Sequence, residues 1–302
     1  MYPPMSRANA SHAMILCAGL GERLKPLSEE LPKPLVPVGD RSVLAHIATR
    51  LSLAGYHSAV VNTHWMHEKF ETITDSFDLD LTLIHEPEIR GQAGGIGGAR
   101  SLLEAPVVAW NGDILIDEPP LEELTVRARA SGGICLAVAP AAGAGTVGLD
   151  AAGHLVRVRG QSFGTEVSAA DYVGLLALGE AALRELPERG CLFDDFMLPR
   201  LRRGQAVETC PVRAGWQEVG SLEGYWKANE RWLSHHANHG ERSYVHPSAR
   251  VAASVQLISC VVGANARIEG AGTIARSVIW PDSHARAPFD KSIVTPRVRV
   301  QR

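Results

Sequence analysis

The sequence has no surplus of positive charge: its 302 residues carry 30 Lys and Arg against 33 Asp and Glu. Binding to nucleic acid or to an anionic membrane ordinarily requires a basic field, so neither is expected as a partner. There is no apolar run near the roughly 18 residues of a membrane span. The opening "MYPPMSRANASH" has no apolar h-region and reads as a loose tail rather than a signal peptide. Cysteines are few. Cys17, Cys135, Cys191, Cys210 and Cys260 are odd in number and show no CxxC spacing. That pattern argues against a zinc site or a disulfide framework and suits reduced thiols in a cytoplasm. The remainder, 45% hydrophobic and 21% charged, is an ordinary globular composition. Its length allows one large domain or two smaller ones.

From Met14 to about Ala139, apolar strands alternate with amphipathic helices. "AMILCAG" is a short buried strand ending in glycine. "SVLAHIATRLSLAG" sets Val43, Leu44, Ile47 and Leu51 on one helical face, with Ser42 as cap and Gly55 as stop. "SAVVNT" and "LDLTLIHE" read as strands, "MHEKFETITDSF" and "GIGGARSLL" as helices, "PVVAWNGDILI" and "GICLAVAP" as strands around the helix "PLEELTVRARAS". Such alternation implies an α/β, Rossmann-like, mainly parallel sheet covered on both faces. Ligands gather beyond the carboxyl ends of its strands, where "CAGLGER" and "NGD" both fall. Residues 140–235 are less regular, with a hairpin at "TVGLDAAGHLVRVRG" and helices at "LFDDFMLPRLRRG" and "LEGYWKANERWLSHH".

After about Ser243 the pattern changes. Val245, Val251 and Leu257 recur at six residues, and after a slip to Val262 the same step resumes at Ile268 and Ile274. Small residues fill the intervals. A six-residue apolar period of this kind predicts a short left-handed parallel β-helix whose aliphatic residues fill a narrow interior. Two domains are therefore expected, 13–236 and 243–295.

The segment "CAGLGERLKPLSEELPKP" carries the chemistry. After Gly19 and Gly21 the third glycine of GxGxxG is missing, its place taken by Leu24, and GxxxxGK[ST] is absent. A dinucleotide fingerprint and a P-loop are therefore excluded. What is left is a pair of glycines at a strand end, where backbone N–H groups can approach an anion, followed by Arg23 and Lys33. Pro26, Pro32 and Pro34 restrict the loop, so its cations need little further ordering when a ligand arrives.

"AGLGERLKPLSEELPKPLVPVG" resembles the GxGxRxxPLTxxxPKPLxPV signature of the sugar-1-phosphate nucleotidylyltransferases, with Ser28 in the usual Thr place. "HEPEIRGQAGGIGGAR", "NGDIL", "GTVGLD" and "WQEVGSLEGY" are similar to that family's later segments, in the same order. The resemblance implies Mg²⁺-dependent transfer of a nucleotidyl group from an NTP to a sugar 1-phosphate, releasing pyrophosphate. Such a displacement needs alignment and charge neutralisation more than covalent chemistry. Arg23 suits the leaving triphosphate and Lys33 the α-phosphate or the attacking phosphate. Backbone at Leu16, Ala18, Gly19 and Gly21, with Gln92, Gly94 and Gly95, is expected to hold the nucleotide. Gly148 and Glu166 are expected at the sugar phosphate. Asp113 and Glu218 are expected as metal ligands, although Asn-Gly before Asp113 is also a favoured hairpin turn.

The sequence departs from the family at three places. Glu218 stands where Asp is usual, Gln92 where Thr is frequent, and the E-K-P segment after the hairpin is missing, with Arg157, Arg159 and Glu166 nearby. His64 reads as a packed strand-end residue. Asp194 and Asp195 read as a cap or a solvated face, since adjacent residues point apart on a helix. The tail and "EPEIRGQAGGI" resemble most the mannose- and heptose-1-phosphate guanylyltransferases, a lean toward GTP. The β-helix is expected to carry no phosphate chemistry and to mediate homo-oligomerisation. A non-catalytic NDP-sugar sensor and a uridylyl- or thymidylyltransferase remain as rivals.

Overall fold

Strand Ser11–Cys17 is apolar at successive positions because both of its faces are covered, and Ala13, Met14 and Ile15 are fully buried. The structure, a computed structural model, describes residues 11–72, 77, 79–238 and 242–302. Contacts group the chain into two compact units, Met1–Leu20 with Ile47–Trp216 and Gly21–His46 with Gln217–Arg302. The segment 13–236 is thus shared between the two units.

In the first unit a ten-stranded mixed sheet forms the frame. Its parallel part runs Asp80–His85, Ser58–Thr63, Ser11–Cys17, Leu103–Asn111. Strand Ser168–Leu178 then joins antiparallel to Leu103–Asn111. It also pairs antiparallel with Ile134–Pro140 and Val147–Leu149, and Glu208–Pro211 adds parallel to Ile134–Pro140. Val147–Leu149 and Leu155–Val158 form the expected hairpin. The register of Ser168–Leu178 shifts between Tyr172 and Leu176 around Gly174, whose φ is +75°. A Cβ at Gly174 would lie 2.8 Å from Asn111 Nδ2, so glycine lets the "NGD" turn seat against the sheet.

Helix α1 (Val43–Leu53) starts as expected, with Ser42 Oγ accepting the Ala45 amide at 3.1 Å. It buries Val43, Leu44, Ile47 and Leu51. Helix α2 is only Glu68–Glu71; residues 73–76 of the predicted "MHEKFETITDSF" helix lie outside the described residues, as do residues 1–10 of the tail. Helices α3 (Gly91–Gly98), α4 (Leu121–Ser131), α5 (Glu180–Glu185) and α6 (Leu198–Arg202) complete this unit. The stretch before α6, Leu192–Met197, is π-helical, and there Asp195 accepts the Cys191 amide at 2.6 Å. Asp194 is exposed and faces Arg159 at 3.5 Å.

The second unit contains α7 (Leu222–His236) and a stack of short parallel strands. Tyr244 pairs with Val261 and Val261 with Val278, each 17 residues on. Val251 lies over Ile268 and Leu257 over Ile274. The expected aliphatic rungs therefore coincide, and Leu257, Val262, Ile268, Ile274 and Ile279 form one buried cluster. Each fully buried side chain of this kind is worth about 1.5–3 kcal/mol. The slip before Val262 recurs before Ile279, so two sides of a turn take six residues and the third takes five. At the short corner Cys260, Ser277 and Ser292 replace an aliphatic rung; the Cys260 amide donates to Ser243 Oγ at 3.0 Å and the Ser292 amide to Ser277 Oγ at 3.2 Å. The far end is not left open: Arg299–Gln301 turns back antiparallel onto Ser292–Val294. Tyr225 of α7 accepts a hydrogen bond from Trp280 Nε1 at 2.7 Å, tying helix to stack.

Candidate active site

The carboxyl ends of four parallel strands are stitched together by polar contacts. Leu16 O accepts the Gly112 amide at 2.9 Å, joining the first strand to the "NGD" turn. The Cys17 amide donates to Asn62 Oδ1 at 3.0 Å, and Asn62 Nδ2 donates to Glu86 Oε1 at 2.8 Å. Glu86 Oε2 accepts the Arg90 amide at 3.1 Å, just before α3. Gln92, at the start of α3, donates to Asn111 Oδ1 at 2.9 Å. One chain of bonds thus fixes where the backbone at Leu16–Gly19 leaves the sheet. Buried polar groups that are fully bonded rigidify what they hold.

Asn62 and Glu86, 3% and 2% exposed, are the members of this network that sequence reasoning missed. Their only signal was a polar pair at the ends of adjacent apolar strands. His64, as expected, is packed: its Nδ1 donates to the Glu86 carbonyl at 2.7 Å. Asp113 is half-buried beside Cys17 and Tyr172. Burial chiefly, and then the Asp113 charge, push both the Cys17 thiol and the Tyr172 hydroxyl up. Cys17 is therefore an inert thiol, not a nucleophile.

The glycines separate into two kinds. A Cβ on Gly19 would meet nothing within 4 Å. At Gly94 it would lie 2.5 Å from Arg189 Cα, and at Gly95 2.8 Å from Asn62 Nδ2. The Gly94 amide is already bonded to Gly190 O at 3.2 Å. The close approach that Gly94 and Gly95 permit is thus one between α3 and its own protein neighbours.

Gly21, Arg23, Lys33 and Glu218 belong to the second unit. Gly21 is left-handed at φ +69°, and its carbonyl accepts both Ser28 Oγ at 2.8 Å and the Leu24 amide at 2.9 Å. A Cβ there would stand 3.0 Å from Ser28 Cβ and 3.4 Å from Lys33 Cβ, so the turn folds closely onto both residues. Short 3₁₀ turns at Glu22–Leu24, Leu27–Glu29 and Lys33–Leu35 stiffen the loop. Arg23 Nη2 meets Glu218 Oε1 at 2.7 Å, with the two side chains 69% and 41% exposed. Glu218 is held by a tight turn into α7: any Cβ at Gly220 would collide with its carboxyl group, and Ser221 Oγ caps the helix through the Gly224 amide at 3.1 Å.

At the hairpin, Gly148 stands in register with Arg157. Arg157 grips Glu166 with two bonds, Nε to Oε2 at 2.6 Å and Nη2 to Oε1 at 3.0 Å. These bonds hold the Glu166 carboxyl below its usual range. A Cβ on Gly148 would strike that carboxyl group, so Gly148 and Glu166 are brought together. Arg159 sits over the Phe193 ring at 5.5 Å.

Among the described residues no group of three or more His, Cys, Asp or Glu stands ready to hold a metal ion. Asp113 and Glu218 are hard oxygen donors, the type that Mg²⁺ takes one or two of while keeping water and phosphate oxygens as its other ligands. The donor chemistry fits that ion.

Residues 12–159 match the family described as nucleotidyl transferase. The chain is 37% identical over 110 residues to an N-acetylmuramate alpha-1-phosphate uridylyltransferase of Neisseria meningitidis serogroup B, covering 35% of this chain and 48% of that protein. It is 32% identical over 124 residues to a mannose-1-phosphate guanylyltransferase catalytic subunit beta of Drosophila pseudoobscura pseudoobscura, covering 39% and 33%. The match thus spans half or less of these relatives. Among solved structures, HddC of Yersinia pseudotuberculosis, complexed with GMP-PN, superposes with a TM-score of 0.62 at 20% identity, over 74% of this chain and 99% of that one. A putative glucose-1-phosphate thymidylyltransferase of Bacillus anthracis gives 0.61 at 18%, over 77% and 98%. These likenesses show a common fold.

Proposed function

By its residues 12–159 the chain belongs to the nucleotidyl transferase family, and from that premise we propose that it transfers a nucleotidyl group from an NTP to a sugar 1-phosphate, giving an NDP-sugar and pyrophosphate. The observation that carries this reading is the loop of Gly21, Arg23 and Lys33, a hinge with two cations on a proline-stiffened segment. A fork-shaped guanidinium at Arg23 matches the oxygens of the leaving triphosphate, and Lys33 acts as a point charge at the α-phosphate. Both interactions strengthen as charge moves along the P–O axis. Backbone at Leu16, Ala18 and Gly19 meets the nucleoside, positioned by the Cys17–Asn62–Glu86 bonds. Gln92 acts through Asn111, which it holds. Gly148 and the Arg157–Glu166 pair receive the sugar phosphate.

Asp113 and Glu218 would hold Mg²⁺, which neutralises phosphate charge when bound. GTP and a mannose- or heptose-type sugar remain the preferred substrates, supported by the guanylyltransferase relative. A uridylyl donor is the second reading, favoured by the 37% identity to a uridylyltransferase. We read residues 243–295 as a left-handed β-helix that associates copies of the chain, on the 17-residue parallel offsets. The five free cysteines suit a reducing, cytoplasmic setting. Among the described residues no helix is long and apolar enough to cross a membrane. The test is pyrophosphate release by the purified chain with Mg²⁺, each NTP and a panel of sugar 1-phosphates. Release with one pair establishes the reaction and its substrates; none with any pair supports the non-catalytic sensor.

A further inference from the structure

The second unit contains a cavity of about 430 Å³, away from the Gly21–Lys33 loop in sequence and lined by none of its residues. One wall is a stripe of α7 that includes Glu230 and Leu233; the facing wall includes Val261 and Val278 of the strand stack. Arg242, Ser259 and Arg276 are also in the lining. These three occupy one corner of the stack on successive turns, since Tyr244 pairs with Val261 and Val261 with Val278. Lys291 continues the same corner on the next turn, because Ala275 pairs with Asp290.

All four corner residues are left-handed, with φ of 54°, 52°, 43° and 45°. Left-handed backbone is easy for glycine and tolerated by Asn and Asp, and costly for long side chains. The stack follows that rule at another corner, where Asn265 and Asp282 take the left-handed positions at 57° and 58°. At this corner it keeps arginine, serine, arginine and lysine instead. Strain retained on functional side chains is a marker of a site. Turns of a stack lie about 4.8 Å apart, so Arg242 and Arg276, two turns apart with Ser259 between them, leave the backbone about 9.6 Å apart, a span that two long arginine side chains can close onto one phosphate. Asp290 pairs with Arg276, and Glu230 on the opposite wall bonds Trp226 Nε1 at 3.0 Å. The cavity thus has Glu230, 3.9 Å from Arg302, at one side, Arg242 and the Asp290-paired Arg276 at the other, and aliphatic walls between.

We propose that this cavity is a second nucleotide site, taking a nucleoside phosphate with its phosphate on Arg242 and Arg276, its base between Leu233 and Val261, and a base N–H on Glu230. Its volume falls within the range of small-molecule pockets. α7 begins just after Glu218, whose carbonyl lies so close to Gly224 that no Cβ fits there. A nucleotide lodged along α7 thus reports directly on the residue that faces Arg23, and the site is regulatory.

The test measures binding, so it stands apart from whether the catalytic reading holds. GMP and UMP are titrated calorimetrically into the full chain carrying Arg23→Ala and Lys33→Ala, with ribose 5-phosphate as the base-free probe. We expect one nucleotide site to persist there and to weaken at least tenfold when Arg242→Gly and Arg276→Gly are added. The glycines relieve left-handed strain, so the melting temperature should stay or rise while binding is lost. Arg242→Gln with Arg276→Gln should weaken binding equally. Ribose 5-phosphate should bind at least tenfold more weakly than either nucleotide. Nucleotide binding unaffected by both pairs of substitutions, no site in the starting variant, or equal binding of the base-free probe would each overturn the proposal.

Discussion

Replacing Glu218 separates a structural role from a metal-binding one, because the two predict very different magnitudes. The Arg23–Glu218 contact is short at 2.7 Å, but its side chains are 69% and 41% exposed. Water and salt screen such a pair, and exposed ion pairs contribute about 0.2–1 kcal/mol. Glu218→Ala should therefore lower the melting temperature by no more than about 4 °C in a chain of this size. If Glu218 also holds Mg²⁺, the same change should reduce turnover about 10²-fold or more, roughly 2.7 kcal/mol of transition-state stabilisation. Glu218→Asp keeps the carboxylate and withdraws it by one methylene, lengthening its contact with Arg23. That variant should stay active with a shifted Mg²⁺ requirement. The assay is pyrophosphate release against Mg²⁺ concentration, beside thermal melts of the same samples. Full turnover in Glu218→Ala with an unchanged Mg²⁺ curve would refute the metal assignment. A drop of more than about 10 °C would refute the reasoning from exposure.

Arg23→Ala and Lys33→Ala should each reduce turnover about 10²-fold while leaving circular dichroism unchanged and lowering the melting temperature by no more than about 4 °C; near-normal rates in both would remove the loop from the reaction. Asp113→Asn keeps size and removes charge, so activity should collapse and not return with modest excess Mg²⁺ in the same pyrophosphate assay. Gly19→Ala meets open space and should fold normally but weaken nucleotide affinity in a binding titration, whereas Gly94→Ala forces atoms to within 2.5 Å of Arg189 Cα and should cost about 1–3 kcal/mol by denaturant unfolding. Burial pushes the thiols of Cys260 and Cys210 up to about 11 and about 12. Their native forms hold protons that the unfolded chain releases above about pH 8.5, so stability present below that pH should fall as pH rises through 9–11. Cys260→Ala should flatten the slope of unfolding free energy against pH in that window; an unchanged slope would count against burial as the cause.

Much of the framework was legible because periodicity is local. Val43, Leu44, Ile47 and Leu51 announced α1, and the aliphatic residues from Val245 to Ile274 announced the stack, slip included. The slip is now explained by a short corner of five residues, lined by Cys260 and Ser277 instead of an aliphatic rung. The insertion of Ser168–Leu178 as an antiparallel strand beside Leu103–Asn111 was not legible, since strand direction depends on partners far away in sequence. Nor was the grouping of Gly21–His46 with Gln217–Arg302, which is likewise non-local. Nor was the return of Arg299–Gln301 antiparallel onto Ser292–Val294, since three residues carry no period of their own.

The site teaches a narrower lesson about what a motif residue is for. Gly19, Gly21, Gly94 and Gly95 look alike as letters near a phosphate loop, yet their surroundings differ. Gly19 faces open space, Gly21 folds against Ser28 and Lys33, and Gly94 and Gly95 let α3 approach Arg189 and Asn62. Gly95 acts on the backbone that leaves strand Ser11–Cys17 at one remove, because Asn62 carries the Cys17 amide and Glu86 carries Asn62. A larger residue at Gly95 would push first on Asn62 and then on the backbone at Cys17, with no ligand involved. Spacing in the sequence therefore located the loop, and the buried Glu86–Asn62 pair, invisible to spacing, is what holds its first residues in place.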